Sequence, residues 1–499
     1  MNTDIKEEII SLLSRLGPGK MSPSAYDTAW VARLGDIDPE LSGRALEWLC
    51  QHQLPDGSWG AEQPFYYHDR VISTLSAMIA LASQKNRRSL RRQIEKGLVA
   101  LEWITERATK GLLADPNGAT VGFEMIVPTL VAEAEKLGLI KQQGERILGR
   151  IARLRQEKLA KIEDQKINRY VTMAFSAEMA GVDGQRILEV DDLQDPDGSV
   201  ACSPSATAYF IHYLRPGDSK ALDYLRTWVS KDGGTPTFAP IDVFETAWTL
   251  SNLALIPKLP ATVRTVIQTH LEKLIRHWSP TKGIGTAYAG TLKDCDDTAM
   301  VFDVLTRFGY AADLQAILHY EEEERFRCFS HEVDPSVSAN IHALAALRQV
   351  KFDEMHPTVQ KVLGFLQKSR MPQGFWFDKW HASPYYATSH AILACAGLVD
   401  AHCQDAVRWI LDTQNPDGSW GFYDFPTAEE TAYSLQALMS YIMSGKQVPK
   451  NSIARGVDWL EHHRREAHPT LWIGKALYRP DSVVESAVLS ALASSKAIL

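Results

Sequence analysis

Gln53-Leu54-Pro55-Asp56-Gly57-Ser58-Trp59-Gly60 returns as Gln414-Asn415-Pro416-Asp417-Gly418-Ser419-Trp420-Gly421, and a degenerate third copy runs Gln194-Asp195-Pro196-Asp197-Gly198-Ser199-Val200. Seven of eight positions match between the two full copies, too many for the chance recurrence of a common turn. Asp-Gly-Ser suits a tight turn whose Asp or Ser caps the next helix, while the Gln amide and the Trp ring can brace successive helices. Repeats of this kind mark stacked helical hairpins. Around them, helical periodicity dominates. Residues 71–83 (VISTLSAMIALAS), 242–256 (DVFETAWTLSNLALI), 298–309 (TAMVFDVLTRFG) and 432–443 (AYSLQALMSYIM) place apolar side chains at i, i+3, i+4 and i+7 between Gly/Pro-rich turns. No strand alternation competes over any length, so the fold class is all-α.

The 499 residues exceed one ordinary core and suit two or three domains at roughly 150 residues each, with room for a deep cavity between them. Hydrophobic residues at 45% and charged residues at 23% are the composition of a soluble globular protein. A net charge of -8 argues against nucleic-acid binding, which needs a basic stripe; an anionic small substrate would need a local basic pocket. The cysteines (Cys50, Cys202, Cys295, Cys328, Cys395, Cys403) are scattered without a CxxC pair, so neither a disulfide framework nor a zinc cluster is indicated and reduced, cytoplasmic thiols fit. Residues 1–17 (MNTDIKEEIISLLSRLG) lack the apolar core of a signal peptide, and no run of about 18 apolar residues predicts a transmembrane segment.

With these features in view, QxxDGSWG resembles the QW motif of triterpene and class II diterpene cyclases. Residues 24–30 (SAYDTAW) resemble a signature near the N-terminus of the class II diterpene cyclases, and Asp294-Cys295-Asp296-Asp297 matches their DxDD motif. The likeness runs from about residue 20 to the C-terminus. It implies two α-helical barrels: a β domain of residues 1–34 and 251–499 carrying DxDD, and a γ domain of residues 35–250. It also implies the reaction, in which geranylgeranyl diphosphate is protonated at its terminal alkene and closed into rings with the diphosphate retained. Mg2+ is the implied cofactor, and a downstream diterpene synthase or phosphatase would take the product.

Protonating a neutral alkene is hard, because carbon is a very weak base and the resulting cation is unstable. The donor must be a carboxylic acid still holding its proton near neutral pH, and burial together with like charges raises a carboxyl pKa. Asp294, Asp296 and Asp297 supply the like charges. The apolar positions Val301, Phe302, Leu305 and Phe308 predict a helix starting at or just after Asp297. That helix N-terminus favours the ionised form by roughly 0.3–1 kcal/mol, which burial shifts of about 3–5 units override. The resemblance makes the middle residue, Asp296, the acid, with Asp294 and Asp297 orienting or reloading it. His342, in SANIHALAAL, stands where plant relatives carry an Asn that hydrogen-bonds the acid, so an orienting imidazole is expected there.

Diphosphate binding is implied for Lys158 and Lys161, at i, i+3 helical spacing. Glu124, in GATVGFE, matches a carboxylate linked to Mg2+, but the acid expected upstream is displaced: Gly118 stands near its place, with Asp115 three residues earlier. Trp248, Trp376, Trp380, Tyr385, Tyr209 and Tyr288 lie in segments resembling the cavity lining, where each aromatic face is worth about 0.5–2 kcal/mol to a nearby cation. The arginines at 87, 88, 91 and 92 read as a solvated helix face. In copalyl diphosphate synthases a His and an Asn hold the water that removes the final proton. The matching segments, AFSAEMAG (174–181) and GGTPTFAPIDVFE (233–245), carry Phe175 and Thr237 in their places. Early proton loss should then be slow, which predicts a rearranged halimane or clerodane product, tuberculosinyl or kolavenyl diphosphate, over copalyl diphosphate.

Asp191-Asp192-Leu193-Gln194-Asp195 spells the DDxxD of class I terpene synthases, but no (N/D)DxxSxxxE accompanies it and it runs directly into the third QW-like turn. A protein prenyltransferase-like subunit would need an Asp-x-Cys zinc pair, which no cysteine here provides. A non-catalytic helical-repeat binding module would have no use for DxDD.

Overall fold

The computed structural model describes residues 3–499 other than 18, 85–87, 113–114, 150, 161–165, 331 and 333. The helices Asp242–Ala254, Cys295–Arg307, Val337–Gln349, Pro384–Cys395, Ala428–Met443 and Asp481–Ser495 pack each on the next and the last on the first, closing a ring. Their sequences carry apolar and small residues all round, and nearly every side chain is buried, as an inner helix requires. The intervening helices are amphipathic and lie outside. Ala261–His277, for example, buries only Val263, Ile267, Leu271 and Leu274, one stripe at i, i+4 and i+3 steps. The N-terminal helix Thr3–Arg15 packs on Ala261–His277 and Asp481–Ser495 and so joins this barrel.

A smaller ring is made by Ala25–Ala32, Tyr67–Ala82, Phe123–Lys136, the 3-10 segment Thr172–Ala180 and Pro204–Tyr209, with Pro39–Gln51, Arg91–Thr109 and Ser219–Trp228 outside it. The two hydrophobic cores cross the expected boundaries in two places. Residues 25–34 pack into the smaller core, because Tyr26, Ala29 and Trp30 form one wall of its ring, and residues 241–250 pack into the larger one.

The repeated turns do what their residues predict. Trp59 Nε1 donates to the Leu49 carbonyl at 2.8 Å in the preceding outer helix, its backbone N–H donates to Thr74 Oγ1 at 3.0 Å in the next inner helix, and Gln53 spans to the Gly57 and Gln93 carbonyls. Trp420 repeats this with Ile410 and Thr431, and Gln414 with Gly418 and Ser452. Gly418 has φ +98°, and a Cβ there would stand 2.6 Å from backbone atoms of Arg455, so only glycine fits the turn. Among the described residues no helix is long and apolar enough to cross a membrane.

Candidate active site

A cavity of about 650 Å³ lies between the two cores. Its walls come from the Gly118–Met125 loop and helix start, the 3-10 segment, the 286–294 loop with the helical turn that follows it, and the hairpin Trp472–Tyr478. The hairpin springs from the larger barrel and is pinned to the smaller one: the Val121 N–H donates to the Gly474 carbonyl at 2.8 Å and the Leu477 N–H to Asp69 Oδ1 at 2.9 Å.

Asp294, Asp296 and Asp297 all line this cavity. The helix begins at Cys295, two residues before the expected start, because Asp294 is its N-cap and accepts the Asp297 N–H at 2.8 Å. Asp296 and Asp297 therefore stand in the first turn. Asp296 is the carboxylate held from two sides: Oδ1 meets His342 Nδ1 at 2.6 Å, and Oδ2 accepts Ser338 Oγ–H at 3.1 Å. His342 Nε2 in turn meets His390 Nδ1 at 2.8 Å. Burial, with the His342 and His381 rings adding to it, drives His390 well below 6.5, so it is neutral at pH 7. A neutral His390 that donates from Nδ1 has His342 Nε2 as its acceptor, which turns His342 Nδ1 towards Asp296 Oδ1.

Burial and the neighbouring Asp297 carboxyl push Asp294 well above the usual carboxylate range. Burial also lifts Asp297 to about 7, against the hydrogen bonds it receives, including that from Thr286 Oγ1 at 2.8 Å. Because the folded value is raised, Asp297 stays protonated below about 7. With Asp296 as the donor that the DxDD resemblance implies, proton transfer above that pH would leave two adjacent anions. Turnover should therefore fall as pH rises past about 7, approaching tenfold per unit, and Asp297→Asn should remove that descending limb from the pH profile. A limb that survives in the variant assigns it to another group.

At the solvent edge of the cavity, Lys158 bridges Glu124 and Asp334, the latter at 3.0 Å. Burial opposes its charge, but the two carboxylates outweigh it and hold Lys158 above its ordinary value. Lys379 pairs beside it with Glu332 and donates to the Asp334 carbonyl at 2.7 Å. Lys161 lies outside the described residues, as does Arg87. Asp115 is not available as the upstream metal ligand, since its carboxylate accepts the Tyr67 and His68 N–H groups and pairs with the His68 ring at 2.6 Å.

Phe175, Thr237, Trp248 and Trp380 line the cavity as expected. One face of Phe175 is already taken by the Lys475 ammonium, 4.4 Å from the ring centre, and Trp380 similarly carries Lys379 at 4.8 Å while its indole N–H donates to Ser336 Oγ at 3.2 Å. Tyr385 is a correction. It packs outward against Trp409, while its neighbour Tyr386 turns inward, accepts Trp248 Nε1–H at 2.8 Å and rests on His381 and His390. Trp376, Tyr209 and Tyr288 also stand away from the lining: Trp376 braces helices, the Tyr209 hydroxyl donates to the Gly181 carbonyl, and Tyr288 lies under Lys273. Asp191 and Asp192 are paired at the surface with Arg215 and Arg169, so they do not converge with Asp195, which faces the cavity.

Sequence reasoning missed Ser338, His390, Glu332, Asp334, Lys379 and Lys475. A histidine in an inner helix that is otherwise buried all round was the available signal for His390; Ser338 stands in the first turn of the His342 helix, where a serine reads as a cap, and the rest lie in loops or a hairpin turn whose approach only the fold creates.

Residues 309–475 match the model of the squalene-hopene cyclase C-terminal domain. A type B diterpene cyclase of Mycobacterium tuberculosis is 48% identical, over 97% of this chain and 98% of that protein. An ent-copalyl diphosphate synthase of a Streptomyces species is 32% identical, over 96% of this chain and 93% of its own length. In three dimensions the chain is similar to an ent-copalyl diphosphate synthase from Streptomyces platensis, with a TM-score of 0.81 and 30% identity across 99% of this chain and 100% of that one.

Proposed function

The chain belongs to the class II diterpene cyclases, and on that footing we propose that it converts geranylgeranyl diphosphate to a bicyclic diterpenyl diphosphate by protonation, without losing the diphosphate. The observation that carries this reading is the Asp296 carboxyl, fixed by His342 and Ser338 on the wall of a cavity that Lys158 and Lys379 also line. Asp296 Oδ2–H would deliver its proton to the terminal alkene. Apolar and aromatic walls would exclude water and fold the chain, while Lys158 and Lys379 would hold the diphosphate outside the reaction zone.

Glu124 and Asp334, held by one ammonium, are hard oxygen donors. Such a pair suits Mg2+, which takes one or two carboxylates and completes its shell with phosphate oxygens and water. Bound there, the ion would neutralise phosphate charge; the acid chemistry remains with Asp296. The direct test is incubation with C20 and C15 diphosphates and Mg2+, then dephosphorylation and NMR of the alcohols. A bicyclic alcohol from the C20 substrate supports the reading, and release of inorganic diphosphate as the normal reaction would sink it.

The product is proposed to be rearranged, of halimane or clerodane type. Phe175 cannot take a proton, and Thr237, a single hydroxyl with no protein partner among the described residues, is no base on its own. Phe175→His with Thr237→Asn should divert flux to the unrearranged copalyl skeleton. The Lys475 ammonium beside position 175 disfavours a charged imidazole, so the new histidine would stay neutral and able to accept a proton. Gas chromatography of the dephosphorylated products checks this, and an unchanged product set in an active double variant would refute it.

A further inference from the structure

Lys475 sits at the tip of the hairpin that joins strands Trp472–Ile473 and Leu477–Tyr478, and its side chain is 0% exposed. All three ammonium donors are used: Glu178 Oε1 at 2.6 Å, Ser203 Oγ at 2.7 Å and Ser205 Oγ at 2.8 Å. Glu178 Oε1 also accepts the Tyr26 hydroxyl at 2.8 Å, which ties the SAYDTAW segment into the same cluster. Glu178 and Phe175 share the 3-10 segment Thr172–Ala180. Phe175 and the hairpin residues Trp472 and Gly474 line the cavity. The ammonium, over the Phe175 ring at 4.4 Å, therefore stands one aromatic layer behind the wall.

Stability alone does not explain this charge. A fully buried ion pair is commonly no better than well-packed apolar side chains, and the hairpin is already pinned through Gly474 and Leu477. We propose that Lys475 is a specificity-determining positioning residue: its fixed positive charge behind Phe175 makes that end of the cavity unfavourable for a carbocation and sets where along the skeleton positive charge can dwell. The DxDD segment lines the same cavity, and Asp296 becomes an anion once its proton is given up, so the field favours migration of the cation away from Phe175 and towards that carboxylate. Charge interactions of this kind act strongly in a water-poor site. The inference rests on the cyclase reading above and adds a cause for the rearranged product.

Two variants test it. Lys475→Met with Glu178→Gln removes both charges of the pair, leaves the buried Asp27 carboxyl beside it, which burial already lifts, to take up a proton, and should raise the ratio of unrearranged to rearranged product at least several-fold. Glu178→Gln alone keeps the ammonium while removing the carboxylate bonded to it, and should move the ratio the opposite way. Loosened packing would shift both variants in the same direction. Opposite shifts support the proposal; equal-signed shifts, or the wild-type ratio in either folded variant, overturn it, and Glu178→Gln alone decides if the double variant does not fold. The wild-type product judges the cyclase reading separately, because a wild type that makes only copalyl diphosphate contradicts the rearranged product whatever the variants do.

Discussion

Asp296→Asn will abolish cyclisation, lowering turnover by at least about 10⁴-fold, the upper range for a lost general acid. The amide is close to isosteric, yet it cannot release a proton of the acidity that an alkene demands. The site around it survives: the amide oxygen still accepts from His342 Nδ1, and the Ser338 hydroxyl can turn to accept where it donated. Thermal unfolding should therefore stay within about 1 kcal/mol of wild type, which separates lost chemistry from lost structure. His342→Phe should show the complementary loss, since Asp296 Oδ1 and His390 Nδ1 would both lose their partner. Turnover near that of wild type in purified, folded Asp296→Asn would remove Asp296 as the acid.

The parts of the site legible in the sequence were those attached to a motif. Asp296 and His342 lie on adjacent inner helices, 46 residues apart, and meet because both helices stay in register around the ring. Tyr385 shows the limit. Its helix is buried on every side, so periodicity gives no hint which neighbour faces inward, and the step of roughly 100° between adjacent residues sends Tyr386 to the centre and Tyr385 to the rim. The lysine partners at the mouth were illegible for a different reason: Glu332, Asp334 and Lys379 are brought to Glu124 and Lys158 only by the docking of two barrels.

The fold was more legible than the QW copies alone suggested. The turn ending at Trp376 lacks the Asp-Gly-Ser signature, yet its indole donates to the Leu366 carbonyl at 2.8 Å and its N–H to Thr388 Oγ1 at 3.0 Å, as Trp59 and Trp420 do with their partners. The same threonine acceptor recurs where no tryptophan stands: Thr28 takes the Thr235 N–H, Thr207 the Val200 N–H and Thr298 the Ile284 N–H. The signal lay in the inner helices. YDTAW (26–30), SATAY (205–209), DDTAM (296–300) and EETAY (429–433) repeat a Thr-Ala pair, because a small residue lets the ring close while the hydroxyl satisfies the preceding turn's backbone.

That reading makes Trp420 a stability determinant rather than a cavity residue. Trp420→Ala should cost about 3–5 kcal/mol, the range for deleting a buried aromatic. The ring is 0% exposed and packs close to Gly456 and Leu435, where a Cβ on Gly456 would come within 2.7 Å of it; such a site cannot collapse to fill the void. Trp420→Phe keeps most of the packing and gives up the indole bond to the Ile410 carbonyl, a loss of about 1 kcal/mol beyond the smaller volume. The measurement is the urea midpoint of each purified variant, followed by intrinsic fluorescence and circular dichroism. Because Trp420 braces the barrel that holds Asp296, Trp420→Ala should lose activity in step with its folded fraction and recover it on cooling. Activity lost while the larger barrel remains folded would instead place Trp420 in the chemistry, and an unfolding free energy within about 1 kcal/mol of wild type for the alanine variant would refute the bracing role.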